Sequence, residues 1–493
     1  MVSMYHSTRS AAQECTAKRA VLDGLASDGG LYVTDALGQA TIDLDRVVSQ
    51  TYHQNAAYIL GTLLDDYSAE EIESCVEAAY GSTFAHEAVT PAVAVGQDWI
   101  LELFHGPTSA FKDVALQMLP QLMSRAAAQS SERIMILAAT SGDTGKAALA
   151  GFADTPGLGI TVFFPHGGTS EIQRLQMVCQ KGENVAVSAV HGNFDDTQSA
   201  VKRIFGDEAL RQRLADQGMV LSSANSINVG RLAPQVVYYF DAYAQLVRGG
   251  VIECGQPVDF CVPTGNFGDV LAGYFAKRMG LPVRKLIVAS NQNNILTDFL
   301  TTGVYDRNRP FHKTISPSMD ILISSNLERL LYYMSDGNAE YVADLMASLA
   351  ETGRYEIAGE MLERIQETFA CGFADDDAAR EAIRSCYDEN GYVMDPHTAV
   401  GWVVSQATPK EDGVPRIVLS TASPYKFCRN VCAALGLDAE GNDFACMRTL
   451  EAASGVAAPA ALAQLETAEV RFEDVLNVTD MPAYVEGKCE ELL

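Results

Sequence analysis

Residues 258–269, VDFCVPTGNFGD, decide the fold because they combine a β-prone run, a glycine turn and a helix start. The run 258–262 has the character of a buried strand, and a helical pattern continues from Val270 to Met279. Glycines allow backbone N–H groups to approach an anion closely, and the helix dipole adds to the attraction. The turn lacks the Gly-x-Gly-x-x-Gly spacing of dinucleotide-binding proteins, so it predicts an anion site without indicating a dinucleotide.

The same pattern of strand, turn and helix recurs from about residue 96 onward. The β-prone runs are 99–104, 134–138, 160–164, 185–190, 219–222, 258–262, 286–289 and, after a polar loop, 417–420. Such repetition implies right-handed crossovers and a mostly parallel sheet. Residues 1–95 instead carry helix-spaced apolar residues over 44–64 and 69–80, with a capping-box pattern at Ser68 and Glu71. The sequence therefore predicts an α/β protein with a helical N-terminal domain.

We expect four parts along the chain. They are a helical N-terminal domain at 1–95, an α/β core of two sub-domains at 96–335, a helical insertion at 336–395, and residues 396–493, which return to the core and end in helices. A length of 493 residues suits several domains.

Charge and cysteine content exclude several classes of partner. The net charge of −28 argues against nucleic acid and anionic membranes, which need Lys and Arg on the protein. The 11 cysteines show no Cys-x-x-Cys and no metal spacing, which is typical of reduced cytosolic thiols. We find no leader-like N-terminus and no apolar stretch long enough to span a membrane. The sequence predicts a cytoplasmic protein that is a monomer or a homodimer and binds no metal.

A lysine stands at the start of a strong helical pattern in the turn after the run 99–104. The turn is 104–113, FHGPTSAFKD, and the helical pattern covers 114–127. Lys112 would therefore lie at the positive end of a helix dipole, where a cation is disfavoured, and partial burial would lower its pKa further. Both effects favour the neutral amine that Schiff-base chemistry needs. A surface lysine beside a helix cap is the alternative.

Three further turns offer groups that bind anions. Residues 139–146, ATSGDTGK, depart from a P-loop at two positions, so they suit a carboxylate or phosphate at a helix N-terminus rather than nucleotide hydrolysis. Residues 221–231 bring hydroxyls and amides together with Arg231, which can form two parallel hydrogen bonds to an anion, although a polar helix cap is the alternative. Residues 420–427 add a hydroxyl and the cation of Lys426 at the same sheet edge.

Together these segments resemble the threonine synthase family, within the pyridoxal 5'-phosphate (PLP) enzymes of fold type II (tryptophan synthase β-like). The matching segments are 5–9, 28–32, 105–113, 140–145, 225–231, 265–269, 317–322 and 421–427. The resemblance covers nearly the whole chain. It implies that O-phospho-L-homoserine and water are converted to L-threonine and phosphate by γ-elimination followed by β-hydration.

The resemblance also implies roles for individual residues. Lys112 would hold PLP as the Schiff-base lysine, and Thr421 would contact the pyridine nitrogen. Asp143 would lie near the phenolic oxygen of the cofactor. The cofactor phosphate would be bound by Gly265, Asn266, Phe267, Gly268 and Asp269. The substrate carboxylate would be bound by Ser141, Gly142 and Thr144, and the substrate phosphate would face Asn225, Ser226, Asn228 and Arg231.

Other expectations concern the cations and the departures from the family. An acidic protein must offset the substrate phosphate locally, so we expect Arg231 to act with Lys426 or Lys146. Ser423 stands where many relatives have His, which puts in doubt any imidazole role there. We interpret His105 and His397 as structural.

Two alternatives remain at this stage. Another PLP lyase of fold type II, such as a serine/threonine dehydratase, would share Lys112 but would need no cation such as Arg231 for an unphosphorylated substrate. An inactive relative that acts only as a binding protein would be expected to lack Lys112.

Overall fold

The computed structural model describes residues 2–128, 132–140 and 142–493. The strands are β1 (Tyr5–Ser7), β2 (Ser10–Cys15), β3 (Tyr32–Thr34), β4 (Ala92–Val95), β5 (Asp98–Glu102), β6 (Arg133–Ala139), β7 (Leu158–Pro165), β8 (Val185–His191), β9 (Met219–Ser222), β10 (Val258–Pro263), β11 (Val283–Ser290), β12 (Val304–Asp306), β13 (Arg354–Glu356), β14 (Phe369–Phe373), β15 (Arg416–Ser420) and β16 (Val475–Asn477).

The α-helices separate most of these strands. They are α1 (Ala17–Asp23), α2 (Leu44–Ser49), α3 (Tyr52–Leu63), α4 (Ala69–Tyr80), α5 (Lys112–Ala127), α6 (Asp143–Phe152), α7 (Glu171–Val178), α8 (Phe194–Gly206), α9 (Glu208–Asp216), α10 (Val229–Arg248), α11 (Gly268–Arg278), α12 (Ile295–Thr302), α13 (Leu327–Met334), α14 (Ala339–Thr352), α15 (Gly359–Thr368), α16 (Asp376–Asn390), α17 (Pro396–Ala407), α18 (Cys428–Leu435), α19 (Asp443–Ser454), α20 (Ala460–Ala463) and α21 (Met481–Leu492).

The larger sheet has the strand order β14-β11-β10-β15-β5-β4. Its neighbouring strands are parallel except for β4, which runs antiparallel to β5 at one edge. Every residue of β10 and β15 is buried, which is typical of parallel strands with both faces covered. The predicted strands at 258–262 and 417–420 are confirmed, each extended by one residue.

The smaller sheet has the order β16-β8-β7-β6-β9 and is parallel throughout. It contains the predicted strands at 134–138, 160–164, 185–190 and 219–222. An apolar cluster separate from the main core includes Met135, Phe163, Ile204, Met481 and Val485. Helices α8, α9 and α21 therefore cover one face of this sheet.

The N-terminal region differs from the helical prediction because it also contains an antiparallel sheet, ordered β2-β1-β3. Strands β1 and β3 have three residues each, too few for a period-2 pattern. The predicted helix over 44–64 is two helices, because Thr51 begins α3 with a capping box to Gln54. The capping box of Ser68 and Glu71 is confirmed at α4.

The predicted helical insertion contains α14, α15 and α16 but also two strands that the sequence did not reveal, β13 and β14. Strand β14 pairs in parallel with β11 and forms an edge of the larger sheet. It is short and contains Gly372, so its composition gave little β signal. The four-part division of the chain stays a prediction. None of the helices in the described part of the chain is both long and apolar enough to cross a lipid bilayer.

The carboxyl ends of strands from both sheets face one cleft of about 1910 Å³. The loops after β6 and β9 contribute from the smaller sheet, and those after β10 and β15 contribute from the larger sheet. Helices α5 and α6, which begin at Lys112 and Asp143, pack tightly. A Cβ added to Gly151 of α6 would lie 1.8 Å from the carbonyl oxygen of Leu116 in α5.

We predict that Gly151→Ala lowers the free energy of unfolding by about 1–3 kcal/mol, because the helices must separate to admit the methyl group. Gly61→Ala is the matched control, since Gly61 lies in α3 with no atom within 4 Å of its added Cβ. That change should stabilise the protein by about 0.5–1 kcal/mol. Chemical unfolding measures both, and equal effects would contradict the packing argument.

Candidate active site

Lys112 opens α5 on the wall of the cleft. Its Nζ donates to Ser318 Oγ at 3.2 Å and lies 3.6 Å from Asp143 Oδ2. Burial lowers the pKa of Lys112, and the positive charges of Lys426 and Arg231 add to this effect, although Asp143 opposes it. The structure therefore places an amine with a lowered pKa where the sequence predicted one.

Asp143 begins α6 and lies between two lysines. Its Oδ1 is 2.8 Å from Lys426 Nζ and accepts from Gln173 Nε2 at 3.2 Å, and its Oδ2 accepts from Ser318 Oγ at 3.3 Å. Burial alone would raise the pKa of Asp143, but the charges of Lys426 and Lys112 outweigh it and hold the pKa well below its usual range. Asp143 is thus an ionised carboxylate beside Lys112.

The loop after β10 forms a cradle at the start of α11. Phe267 takes the left-handed conformation with φ 63°, and it provides no side-chain cap, so the first-turn N–H groups keep their anion-binding potential. Gly265 must be small, since an added Cβ would lie 2.8 Å from the carbonyl oxygen of Ser318. The carbonyl oxygens of Gly265 and Asn266 accept hydrogen bonds from Ser324 and Asn326. Predicted residues 265–268 therefore line the cleft as one unit.

The side chain of Asp269, in the first turn of α11, is buried and bound to two tyrosines. Its Oδ1 accepts from the hydroxyls of Tyr238 at 2.6 Å and Tyr239 at 2.8 Å. Burial raises the pKa of Asp269 to about 6, and the two tyrosine hydrogen bonds only partly oppose this. A carboxylate held in this way is a poor phosphate ligand, so only the backbone of Asp269 suits that role.

Arg231, in the first turn of α10, is a buried cation without a counter-ion. Its Nη1 donates to the carbonyl oxygen of Ala224 at 3.0 Å, and no carboxylate among the described residues forms an ion pair with it. Its Nε is buried and has no hydrogen-bond partner in the described part of the chain. Burial lowers the pKa of Arg231 to about 10. An uncompensated guanidinium on the cleft wall indicates an anion site.

The other residues predicted to face the substrate phosphate divide into two groups. Asn225 and Ser226 line the cleft, and the Ser226 hydroxyl donates to Asn225 Oδ1 at 3.1 Å. Asn228 is fully buried instead. Its amide nitrogen donates to the carbonyl oxygen of Val21 at 2.9 Å and its Oδ1 accepts from the N–H of Gly230. The prediction that Asn228 faces the substrate phosphate is therefore corrected. Its side chain instead caps α10 and is hydrogen-bonded to α1.

The two lysines expected to help Arg231 are also placed elsewhere. Lys426 is buried, pairs with Asp143 and donates to the carbonyl oxygen of Thr108 at 3.0 Å. Lys146 donates to the side chain of Gln180, and burial lowers its pKa to about 8. Neither ammonium group lies on the cleft wall with Arg231. Lys426 instead compensates the charge of Asp143.

The remaining predicted residues lie around the same cleft. Gly142, Thr144 and Thr421 line it, whereas Ser141 lies outside the described residues. The carbonyl oxygen of Thr421 accepts from the N–H of Phe111 at 2.8 Å, which ties the end of β15 to the turn of Lys112. Ser423 is buried, and its hydroxyl accepts from the N–H of Tyr425, so it stabilises its own turn.

Several cleft residues were not assigned from the sequence. Ser318 contacts both Lys112 and Asp143, and the N–H of Ser318 donates to His397 Nε2 at 3.1 Å. The motif at 317–322 gives no role for Ser318 from sequence alone, and the structural interpretation of His397 does not include this contact. The available signal was Asp395-Pro396-His397, in which Asp395 caps α17 two residues before the imidazole.

A second unassigned pair joins the two anion-binding loops. Asn326 Nδ2 donates to the carbonyl oxygens of Asn266 and Ser226, each at 3.1 Å. The buried guanidinium of Arg329 donates to Asn326 Oδ1 at 2.5 Å, to the carbonyl oxygen of Ile227 at 2.6 Å and to that of Tyr32 at 2.9 Å. No sequence pattern indicated this link, because its partners lie in distant segments.

These residues fit PLP. Lys112 supplies an amine with a lowered pKa, and the cradle at Gly265 brings helix-start N–H groups to the same cleft. Arg231, on the cleft wall and without an ion-pair partner among the described residues, supplies a cation for a second anion. A phosphorylated aldehyde and a further anionic group would together satisfy this set.

Comparison with solved structures gives closely similar folds. A PLP-bound threonine synthase from Brucella melitensis matches with a TM-score of 0.89 at 38% identity, covering 99% of both chains. The yeast threonine synthase matches with a TM-score of 0.88 at 33% identity, covering 99% of this chain and 98% of the other.

Relatives of known name are also similar to this chain in sequence. Threonine synthase of Pseudomonas aeruginosa is 40% identical over 429 residues, covering 86% of this chain and 88% of the relative. Threonine synthase-like 1 of Homo sapiens is 42% identical over 428 residues, covering 84% of this chain. The match spans 57% of the length of that human relative.

Family models match consecutive parts of the sequence. Residues 86–419 match the model described as pyridoxal-phosphate dependent enzyme, and with the fold this defines a PLP-dependent enzyme of fold type II. Residues 4–80 match the threonine synthase N terminus, and residues 398–485 match the threonine synthase C-terminal model. The chain belongs to the threonine synthase family.

We predict that Lys112→Ala removes the visible absorbance band that PLP gives when it is linked to a lysine, because Lys112 supplies the amine. Borohydride should fix the cofactor to the wild-type protein and not to the variant. Lys410→Ala is the control, since Lys410 pairs with Asp98 away from the cleft and should leave the band intact. An unchanged spectrum for Lys112→Ala would refute the assignment.

We also predict a pH-dependent stability difference between the protein and its Asp269→Asn variant. Folding raises the pKa of Asp269 from 3.8 to about 6, so its stabilising contribution is complete below pH 3.8 and is lost as pH rises through 6. Between pH 3.8 and pH 6 the free energy of unfolding of the wild-type protein should fall by up to about 3 kcal/mol relative to that of the variant. Chemical unfolding across the range measures it, and a constant difference would contradict the raised pKa.

Proposed function

We propose that this protein is a threonine synthase, which converts O-phospho-L-homoserine and water to L-threonine and phosphate in threonine biosynthesis. The observation that carries the proposal is the unpaired, buried Arg231 on the same cleft as Lys112. The guanidinium of Arg231 lacks an anionic partner, and the phosphate group of a phosphorylated amino acid would supply one. The bacterial and fungal relatives named threonine synthase support the same activity.

PLP would be held mainly by residues that follow strands β5, β10 and β15 of the larger sheet. Lys112 would carry it, the N–H groups of residues 265–268 would bind its phosphate, and Thr421 would offer a neutral hydroxyl to its ring nitrogen. When bound, PLP delocalises the negative charge that forms next to the substrate's amino group. A neutral partner such as Thr421, unlike a carboxylate, does not force the ring nitrogen to stay protonated.

Lys112 suits the proton transfers that the reaction needs. Once released from the cofactor, its amine can take the Cα proton, because burial and nearby cations favour its neutral form. Ser318 Oγ, at 3.2 Å, orients the amine, and Asp143 provides a nearby negative charge for the ammonium form. The same group can therefore remove and return protons without leaving the cleft.

The substrate would be held by its two anionic ends. Gly142 and Thr144, with Ser141, would bind the carboxylate at the start of α6, where the helix dipole favours a negative charge. Arg231 would bind the phosphate, assisted by Asn225 and Ser226. The phosphate that leaves Cγ would remain next to this guanidinium while water adds at Cβ.

Three finer statements are part of this proposal. We infer that the protein acts in the cytoplasm, as a monomer or a homodimer, on a small molecule rather than on nucleic acid or membrane. The 11 cysteines, all among the described residues, are free thiols, which is consistent with a reducing compartment.

We predict that Arg231→Leu raises the KM for O-phospho-L-homoserine about 10–100-fold, because one charge-assisted phosphate contact is worth about 1.5–3 kcal/mol. The Kd for PLP should change by less than about threefold, since in this proposal the cofactor phosphate would be bound at the start of α11, away from Arg231. Phosphate release measures the first quantity and a visible-absorbance titration measures the second.

Controls separate this proposal from a dehydratase. Arg213→Leu, which removes an exposed arginine of α9, should leave both quantities unchanged. Wild-type protein that releases a keto acid from threonine but no phosphate from O-phospho-L-homoserine would refute the proposal. Equal weakening of PLP and substrate binding in Arg231→Leu would contradict the role given to Arg231.

A further inference from the structure

His397 is held rigidly in the first turn of α17. Its Nδ1 lies 2.7 Å from Asp395 Oδ1, and its ring packs against Phe427 with 4.9 Å between ring centroids. The second oxygen of Asp395 accepts from the N–H and the hydroxyl of Thr398. His397 and Asp395 are both buried, so the imidazole has one orientation.

The contacts of His397 also fix which nitrogen carries its proton. The partner of Nε2 is the N–H of Ser318, at 3.1 Å, and a backbone N–H can only donate. Nε2 must therefore accept, and the ring proton lies on Nδ1, where Asp395 accepts it. The role of Asp395 is to maintain this tautomer.

Ser318 transmits this contact to the reacting lysine. Its Oγ accepts from Lys112 Nζ at 3.2 Å and donates to Asp143 Oδ2 at 3.3 Å. Its carbonyl oxygen lies 2.8 Å from the position that a Cβ on Gly265 would take, so the Ser318 backbone packs directly against the phosphate cradle. A small shift of the Ser318 backbone would thus move the amine relative to the phosphate cradle.

The turn around Ser318 is also held by Asp320, which follows Ser318 by two residues. Asp320 accepts from the hydroxyl of Thr314 at 2.7 Å and from the amide of Asn291 at 2.8 Å. These bonds hold the end of the turn against β11. The contact from His397 is the one made to the N–H of Ser318 itself.

We propose that His397 and Asp395 are positioning residues for Lys112, acting through the backbone of Ser318. The imidazole fixes Ser318, and Ser318 Oγ sets the direction from which the Lys112 amine meets the cofactor. The inference adds to the proposed function and rests on Lys112 being the cofactor lysine.

Two substitutions of His397 separate its two hydrogen bonds. In His397→Gln, the amide oxygen can reach the position of Nε2 and still accept from Ser318. In His397→Asn, the amide nitrogen can take the position of Nδ1 and still donate to Asp395, but no acceptor reaches Ser318. Both variants lack the imidazole ring, but only His397→Gln keeps an acceptor for the N–H of Ser318.

The expected result is a clear difference between these variants. The rate at which added PLP links to the lysine of the cofactor-free protein should stay within about threefold for His397→Gln and fall about 10–100-fold for His397→Asn, since a misplacement of 1 Å can cost about 10²-fold. The kcat should follow the same order, with the KM for O-phospho-L-homoserine changed less than about threefold. His6→Asn is the control, because it breaks another contact between a buried His and an Asp, here the exposed Asp35, and should leave both rates unchanged.

Stability is measured for each variant so that unfolding is not mistaken for misplacement. Equal linkage rates for His397→Gln and His397→Asn, whether both normal or both slow, would overturn the proposal. Failure of the wild-type protein to release phosphate would overturn the proposed function alone, because the linkage rate is measured without substrate.

Discussion

The ion pair between Lys426 and Asp143 is the interaction on which the chemistry of the cleft depends. Both side chains are buried, and a buried charge without a partner costs several kcal/mol. Lys426 takes one oxygen of Asp143 at 2.8 Å, which leaves Lys112 at 3.6 Å as the second cation beside one carboxylate. Burial lowers the pKa of Lys112, and Asp143, which is shared with Lys426, opposes this shift only in part.

The architecture explains how these charges meet. Parallel strands end at one edge, so the loops after β6 and β9 in one sheet face the loops after β10 and β15 in the other. The segment that contains Ser318 and Asn326 lies between them. Through Asn326 the cofactor cradle and the Arg231 loop share a hydrogen-bond donor, so their spacing is fixed by side chains rather than by either sheet alone.

The sequence predicted those features that local pattern determines. The strands at 134–138 and 258–262 are apolar runs followed by glycine turns, and Lys112 stood out because it starts a strong helical pattern. The sequence could not assign Asn228 and Lys426 correctly. A polar residue near a strand end gives the same sequence pattern whether its side chain faces the cleft or the interior. The contact between His397 and Ser318 spans 79 residues, and periodicity carries no information at that separation.

Arg329 has a consequence for the order in which the molecule assembles. Its guanidinium joins the carbonyl oxygens of Tyr32 and Ile227, which are 297 and 102 residues away along the chain. Contacts of such separation form late, because the closure of long loops costs entropy before any contact is gained. Because Arg329 also holds Asn326 Oδ1, we expect the spacing between the two anion loops to be fully fixed only when strand β3 has joined the core, so the N-terminal region would contribute to cofactor retention without contacting the cofactor.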